Sequence, residues 1–157
     1  MRHDLSKSFD RATLPKEAAS RWRADLSTLG PLHESSNFVC SFSDAQGQLR
    51  YLRMSHASHR TSEHLAAELE FVQYLKAHDC PVAAPLPSAQ GNLIEPLSNR
   101  GETFHASVFE AAPGTADAWQ SDTVNRRILF DHGQSLGRIH ALSRQFRPTH
   151  HRFQNVR

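Results

Sequence analysis

The sequence predicts an α+β fold: a five-stranded antiparallel sheet with one helix packed on it, a helix before the sheet and another after it. Three observations predict this. Apolar residues recur at helical spacing around Ala18–Leu26, Leu65–Leu75 and Ile128–Leu142; short apolar runs lie between them; and Gly, Pro, Asn and Asp clusters separate those runs. At 157 residues, 38% hydrophobic and 22% charged, the chain suits one globular core.

In order along the chain, Thr13 is placed to cap a helix with Pro15 and Glu17 in its first turn and Ala18, Trp22 and Leu26 on one face. Leu29–Leu32, Phe38–Phe42 and Leu49–Met54 read as strands of a meander, with ESSN and DAQG as the connections. Ser62 and Glu63 open a second helix, whose stripe of Leu65, Leu69, Val72 and Leu75 ends near His78. Pro81, Pro85 and Pro87 then argue against regular structure until a strand over Asn92–Leu97, which turns through SNRG into another over Thr103–Glu110. After Pro113 and Gly114 a helix is expected from about Asp122 to Ser143, with Gly133 and Gly137 one turn apart.

Composition narrows the partners. A formal charge of +2 gives weak attraction to polyanions, although Arg138, Arg144, Arg147, Arg152 and Arg157 follow Asp131 with no further acid. Cys40 and Cys80 read as small core residues, not as a disulfide framework or a metal site. The N-terminal MRHDLSKSFDRATL lacks an apolar stretch of signal-peptide length, and no segment approaches the ~18 apolar residues of a membrane span. A cytoplasmic protein with no membrane partner is the expectation.

One residue breaks the pattern. Arg53 sits between Leu52 and Met54, where an unpaired, desolvated guanidinium would cost roughly 3 kcal/mol or more. At about 100° per residue, Glu63 and Glu70 fall opposite the second helix's stripe, whereas Glu68 lies roughly 60° from its centre. A strand cation and a helix acid fifteen positions later compensate each other if that helix packs on the sheet. The same pattern also fits a purely structural ion pair, or an arginine at a sheet edge that reaches water.

A strand cation, a helix acid, two further strands and a Pro-Gly break follow in the order of the small lobe of kinase-type enzymes. The runs HESSNFVCSF, YLRMSHASHR, AELEFVQYLKAHDCPVAAPLPSAQGNLIE, SVFEAAPG and LGRIHALS together resemble the aminoglycoside phosphotransferase family, which includes choline and homoserine kinase-like enzymes, over about residues 30 to 145. The resemblance implies an ATP-binding lobe. It assigns Ser35, Ser36 and Asn37 to the loop over the phosphates, Arg53 to the phosphate-binding cation that is often lysine, and Glu68 to the acid that holds it. Phe109, Glu110, Ala111 and Ala112 resemble the hinge whose backbone meets adenine, and Tyr51 shares a strand face with Arg53. Read without the resemblance, the first group is an ordinary hairpin turn and the last an edge strand entering a loop.

The resemblance also implies a second lobe with an H-x-D loop, a following asparagine and a magnesium-binding aspartate. None is found: His3-Asp4 and His78-Asp79 are adjacent pairs, and Asp131-His132 runs in reverse. The expectation is therefore a truncated, inactive amino-terminal lobe: an N-terminal helical extension over 1–28, the lobe over 29–112, a linker and the first large-lobe helix over 113–145, and a frayed basic tail over 146–157. Mg2+ would join ATP only with the large lobe, and that lobe or a partner chain would cover the last helix. His56, His59 and His64 read as a solvated connection, His140 as a packing residue, and Arg60 as a surface arginine within reach of a phosphate. A second function class is a non-catalytic module whose basic end contacts RNA or an acidic partner; Phe146 and Phe153 alone interleave there, a poor nucleic-acid platform.

Overall fold

Asp10 starts the first helix. Its carboxylate accepts hydrogen bonds from the backbone of Ala12 and Thr13 at 2.9 and 3.2 Å, which depresses its pKa and frees Thr13 from capping duty. Helix α1 (Leu14–Ser20) carries Pro15 in its first turn and ends early. Arg23, left-handed at φ 54°, lets Ala24 N–H reach back to Ala19 O at 3.4 Å. Trp22 thus lies past the helix, buried, with its indole donating to Leu86 O at 2.9 Å. Leu26 falls on a separate 3-10 turn (Leu26–Thr28) capped by Asp25, because DLST offers the backbone local side-chain acceptors. The helical face expected through Trp22 and Leu26 is therefore broken after Ser20.

The computed structural model describes residues 9–35, 37–113 and 126–149. It contains strands β1 (His33–Glu34), β2 (Phe38–Ser43), β3 (Leu49–His56), β4 (Pro85–Leu86), β5 (Glu95–Asn99) and β6 (Glu102–Glu110), with helices α2 (Ser62–Ala77) and α3 (Arg126–Ser143). All pairings are antiparallel, in the order β1-β2-β3-β6-β4, and β5 shares the outer edge of β6 with β4.

The expected α+β class with its antiparallel sheet is present, with a sixth strand added. Pro85 and Leu86 pair with Phe109 and Val108; a two-residue edge strand tolerates a proline because its missing N–H can face away from the ladder. The first strand starts later than Leu29–Leu32. Gly30 N–H does bond Ser41 O at 2.8 Å, but Pro31 has no N–H with which to continue the ladder. The strand expected from Asn92 begins at Glu95. Arg100 and Gly101, both at positive φ, form the two-residue turn into β6.

Alternation divides the sheet into two faces. Phe38, Cys40, Phe42, Leu52, Met54, Leu97, Phe104, Ala106 and Val108 form one core with Phe9, Leu14, Ala18, Ala19 and Trp22. Phe9 stacks on Phe38 with ring centroids 3.8 Å apart and meets Phe104 edge-on at 5.4 Å. At the side of this face Glu95, 2% exposed, accepts from Arg21 (3.0 Å), Ser88 (2.6 Å) and Asn92 (3.1 Å).

The opposite face carries Val39, Ser41, Tyr51, Arg53, Ser55, His105, Ser107 and Phe109, and α2 lies on this side. Thr61 caps α2 by accepting from His64 N–H, and left-handed Asp79 closes it through Cys80 N–H to Leu75 O at 3.0 Å. Helix α3 buries no residue and leaves Phe130 66% exposed. The positions 122–125 expected within it lie outside the described residues. Past α3 the chain packs back instead of fraying at once: Phe146 sits 5.0 Å from Phe71 and 5.1 Å from Tyr74, and Thr149 donates twice to Glu70. Positions 150–157 lie outside the described residues.

Candidate functional site

The register of β3 against β2 and β6 sets out a strip across the second face. Ser55 is opposite His105, Arg53 opposite Ser107 and Val39, and Tyr51 opposite Phe109 and Ser41. The Ser35–Asn37 connection begins this strip at one end and Ala111 leaves it at the other.

Arg53 Nη1 donates to Glu68 Oε1 at 2.6 Å, with the two side chains 19% and 28% exposed. The strand cation and the helix acid thus meet. The guanidinium carbon also lies 4.9 Å from the Phe109 ring centroid, a cation–π contact. Arg53 Nη2 is buried with no hydrogen-bond partner among the described residues. An unsatisfied buried donor on a cation is costly, so it marks a place where an anion would be stabilised.

The loop end is tethered to the same strand. Asn37 Oδ1 accepts from Ser55 Oγ at 2.6 Å, and Ser35 N–H donates to Asn37 O at 2.9 Å. Ser35 and Asn37 are therefore held above the strand that carries Arg53; Ser36 lies outside the described residues. At the other end, Phe109 and Glu110 belong to β6. Glu110 N–H is committed to Ala84 O at 2.9 Å, and its carboxylate accepts from Lys76 at 2.8 Å, a bond that lowers its pKa despite partial burial. Ala111 and Ala112 lie past the strand, where backbone groups are not spent in the sheet. Tyr51 is on the Arg53 face and 42% exposed.

Two features escaped the sequence reading. Glu68 holds a second arginine, since its Oε2 accepts from Arg60 Nη1 at 2.5 Å. The connection carrying Arg60 is built around buried His56, whose ring bonds Ser58 Oγ at 2.6 Å and Glu102 at 3.1 Å. Ser58 N–H also donates to His56 Nδ1, which places the ring proton on Nε2, facing Glu102. The backbone N–H groups of Ser58, His59 and Arg60 are all consumed in this turn, so none of these three amides is left to form an oxyanion site. A residue in an irregular turn has no periodicity from which its direction could have been read. Beside Ser55, burial pushes the pKa of His105 down against the opposing pull of Glu63, and its Nδ1 lacks a partner among the described residues. Among the described residues no three His, Cys, Asp or Glu side chains gather to hold a metal ion.

An antiparallel sheet with a strand arginine gripped by a glutamate of the next helix is the arrangement found in the small lobe of kinase-type phosphotransferases. The comparisons agree: a family model described as phosphotransferase enzyme family matches residues 28–156, and the chain belongs to that family. Amicoumacin kinase of Bacillus subtilis is 28% identical over 146 residues, covering 92% of this chain and 42% of its own. An uncharacterized protein of Synechocystis is 32% identical over 101 residues, 64% of this chain and 27% of its own. The solved structure of amicoumacin kinase hAmiN, in complex with AMP-PNP, Ca2+ and Ami, superposes with a TM-score of 0.82 at 26% identity, covering 95% of this chain and 44% of that one. A microcompartment-associated aminopropanol kinase shares the fold at a TM-score of 0.67, 22% identity and coverage of 90% and 44%. The chain thus spans less than half the length of these relatives. No helix among the described residues is long and apolar enough to cross a membrane.

Proposed function

We propose that this chain is the nucleotide-binding lobe of a small-molecule phosphotransferase, taking ATP against the strip from Ser35 to Ala112. The observation that carries the reading is the buried, unpartnered Nη2 of Arg53, whose sister nitrogen is fixed by Glu68. The residues fit the group: Ser35, Ser36 and Asn37 would cover the phosphates, Arg53 would bind them with Glu68 orienting it, and Phe109, Glu110, Ala111 and Ala112 would form the adenine side. Since the amide of Glu110 is already bonded, Ala111 and Ala112 are the hinge positions able to offer backbone groups.

Phosphoryl transfer needs carboxylates to orient the acceptor and hold Mg2+. On this reading they come from residues outside this chain, and the lobe binds nucleotide without transferring phosphate, in the cytoplasm. The same large lobe would cover Leu129, Phe130 and Leu136 on α3. Thermal melting with Mg-ATP tests the proposal. The expected result is a rise in Tm that Arg53→Ala abolishes and Arg147→Ala leaves intact. Failure of Mg-ATP to protect the wild-type chain, or equal protection of Arg53→Ala, would refute it.

A further inference from the structure

We propose that Arg60 is a second phosphate-side cation acting beside Arg53, an inference that deepens the nucleotide-binding reading and rests on it. Glu68 supplies the reason. One of its oxygens accepts from Arg53 and the other from Arg60, so a single carboxylate joins two guanidiniums. Arg53 and Glu68 by themselves sum to zero charge and would offer a polyphosphate little net attraction. With Arg60 in contact the cluster carries one positive charge.

The histidine neighbour on the strip, His105, adds no charge to that balance. His105 is driven towards its neutral form by burial, against the opposing pull of Glu63. Glu63, at the start of α2, has its pKa lowered, chiefly through its own backbone amide, and so stays an ionised carboxylate on the His105 side of the cluster. Arg60 is also well anchored: its amide donates to His56 O at 3.1 Å, and the His56 ring is pinned by Ser58 and Glu102. Its side chain is 46% exposed against 19% for Arg53, so an arriving anion meets Arg60 first. Of its five N–H donors, one is bonded among the described residues, which leaves others for the anion.

The test is an NMR titration of the 157-residue chain with Mg-ATP and with adenosine, at two salt concentrations, for wild type, Arg60→Gln and Arg60→Lys. Arg60→Gln is expected to weaken Mg-ATP about tenfold, the weight of one charged hydrogen bond, to leave adenosine unchanged and to flatten the salt dependence. Arg60→Lys should recover part of the loss. Mg-ATP affinity of Arg60→Gln within twofold of wild type, with an unchanged salt dependence, would overturn the role of Arg60 while nucleotide binding stood. A loss shared equally by adenosine would also overturn it, since that outcome reports a damaged lobe. Absence of Mg-ATP binding by the wild-type chain would instead remove the nucleotide reading and this proposal together.

Discussion

Replacing Glu95 removes the acceptor of three donors at once. The carboxylate is 2% exposed and bonds Ser88, Asn92 and Arg21, tying the turn after α1 and the loop before β5 to the sheet. Hydrogen bonds to a charged group contribute about 1.5–3 kcal/mol each but do not add. Arg21, with a side chain 34% exposed, can turn back to water, so the cost falls mainly on Ser88 and Asn92. Glu95→Ala should therefore lose about 3 kcal/mol of a total of about 5–15, read as a lower urea midpoint at unchanged slope.

Glu95→Gln adds a pH signature. Burial pushes the pKa of Glu95 up, but the bonds from Ser88, Arg21 and Asn92 and the charge of Arg21 together outweigh it and hold the value below the ordinary 4.5. A depressed folded-state pKa contributes stability that is present above the unfolded value of 4.5 and is lost as pH falls through the folded value. The wild-type advantage over Glu95→Gln should thus be full at pH 7 and shrink below pH 4.5. A loss under about 1 kcal/mol for Glu95→Ala, or a Gln penalty identical at pH 3 and pH 7, would refute the reasoning.

Two further outcomes follow from burial and packing. Burial raises the Cys40 thiol to about 11, and Cys80 is buried too, so neither should react with a thiol reagent at pH 8 until denaturant is added; prompt native labelling would contradict the core. Phe146→Ala should cost about 1 kcal/mol and speed tryptic cleavage after Arg144, by removing the ring that seats this segment on Phe71 and Tyr74. An unchanged cleavage rate would mean that the ring is not what seats the segment.

The charge compensation between Arg53 and Glu68 was legible because both residues violate a strict period, 2.0 on the strand and 3.6 on the helix. Glu95 carried the same kind of signal. It alternates with Leu97 and so shares that residue's buried side, whichever residue begins the strand. Its cation, Arg21, was expected inside a helix that in fact ends at Ser20. The left-handed Arg23 and the Asp25 cap of the following turn set that end, and local competition of this kind is weakly encoded in apolar spacing. Strand β4 and the partner of Arg60 depend on tertiary placement of irregular chain, for which no periodicity exists.

The rear of the sheet is closed by the first segment of the chain pressing on the last strands. Asp10 N–H bonds the side chain of Asn99, 89 positions away, and the Phe9 ring rests against Phe104. Such closure is late by construction: a nascent chain on the ribosome must hold its leading segment unsheltered until β6 has been synthesised. This lobe should consequently fold slowly for its size.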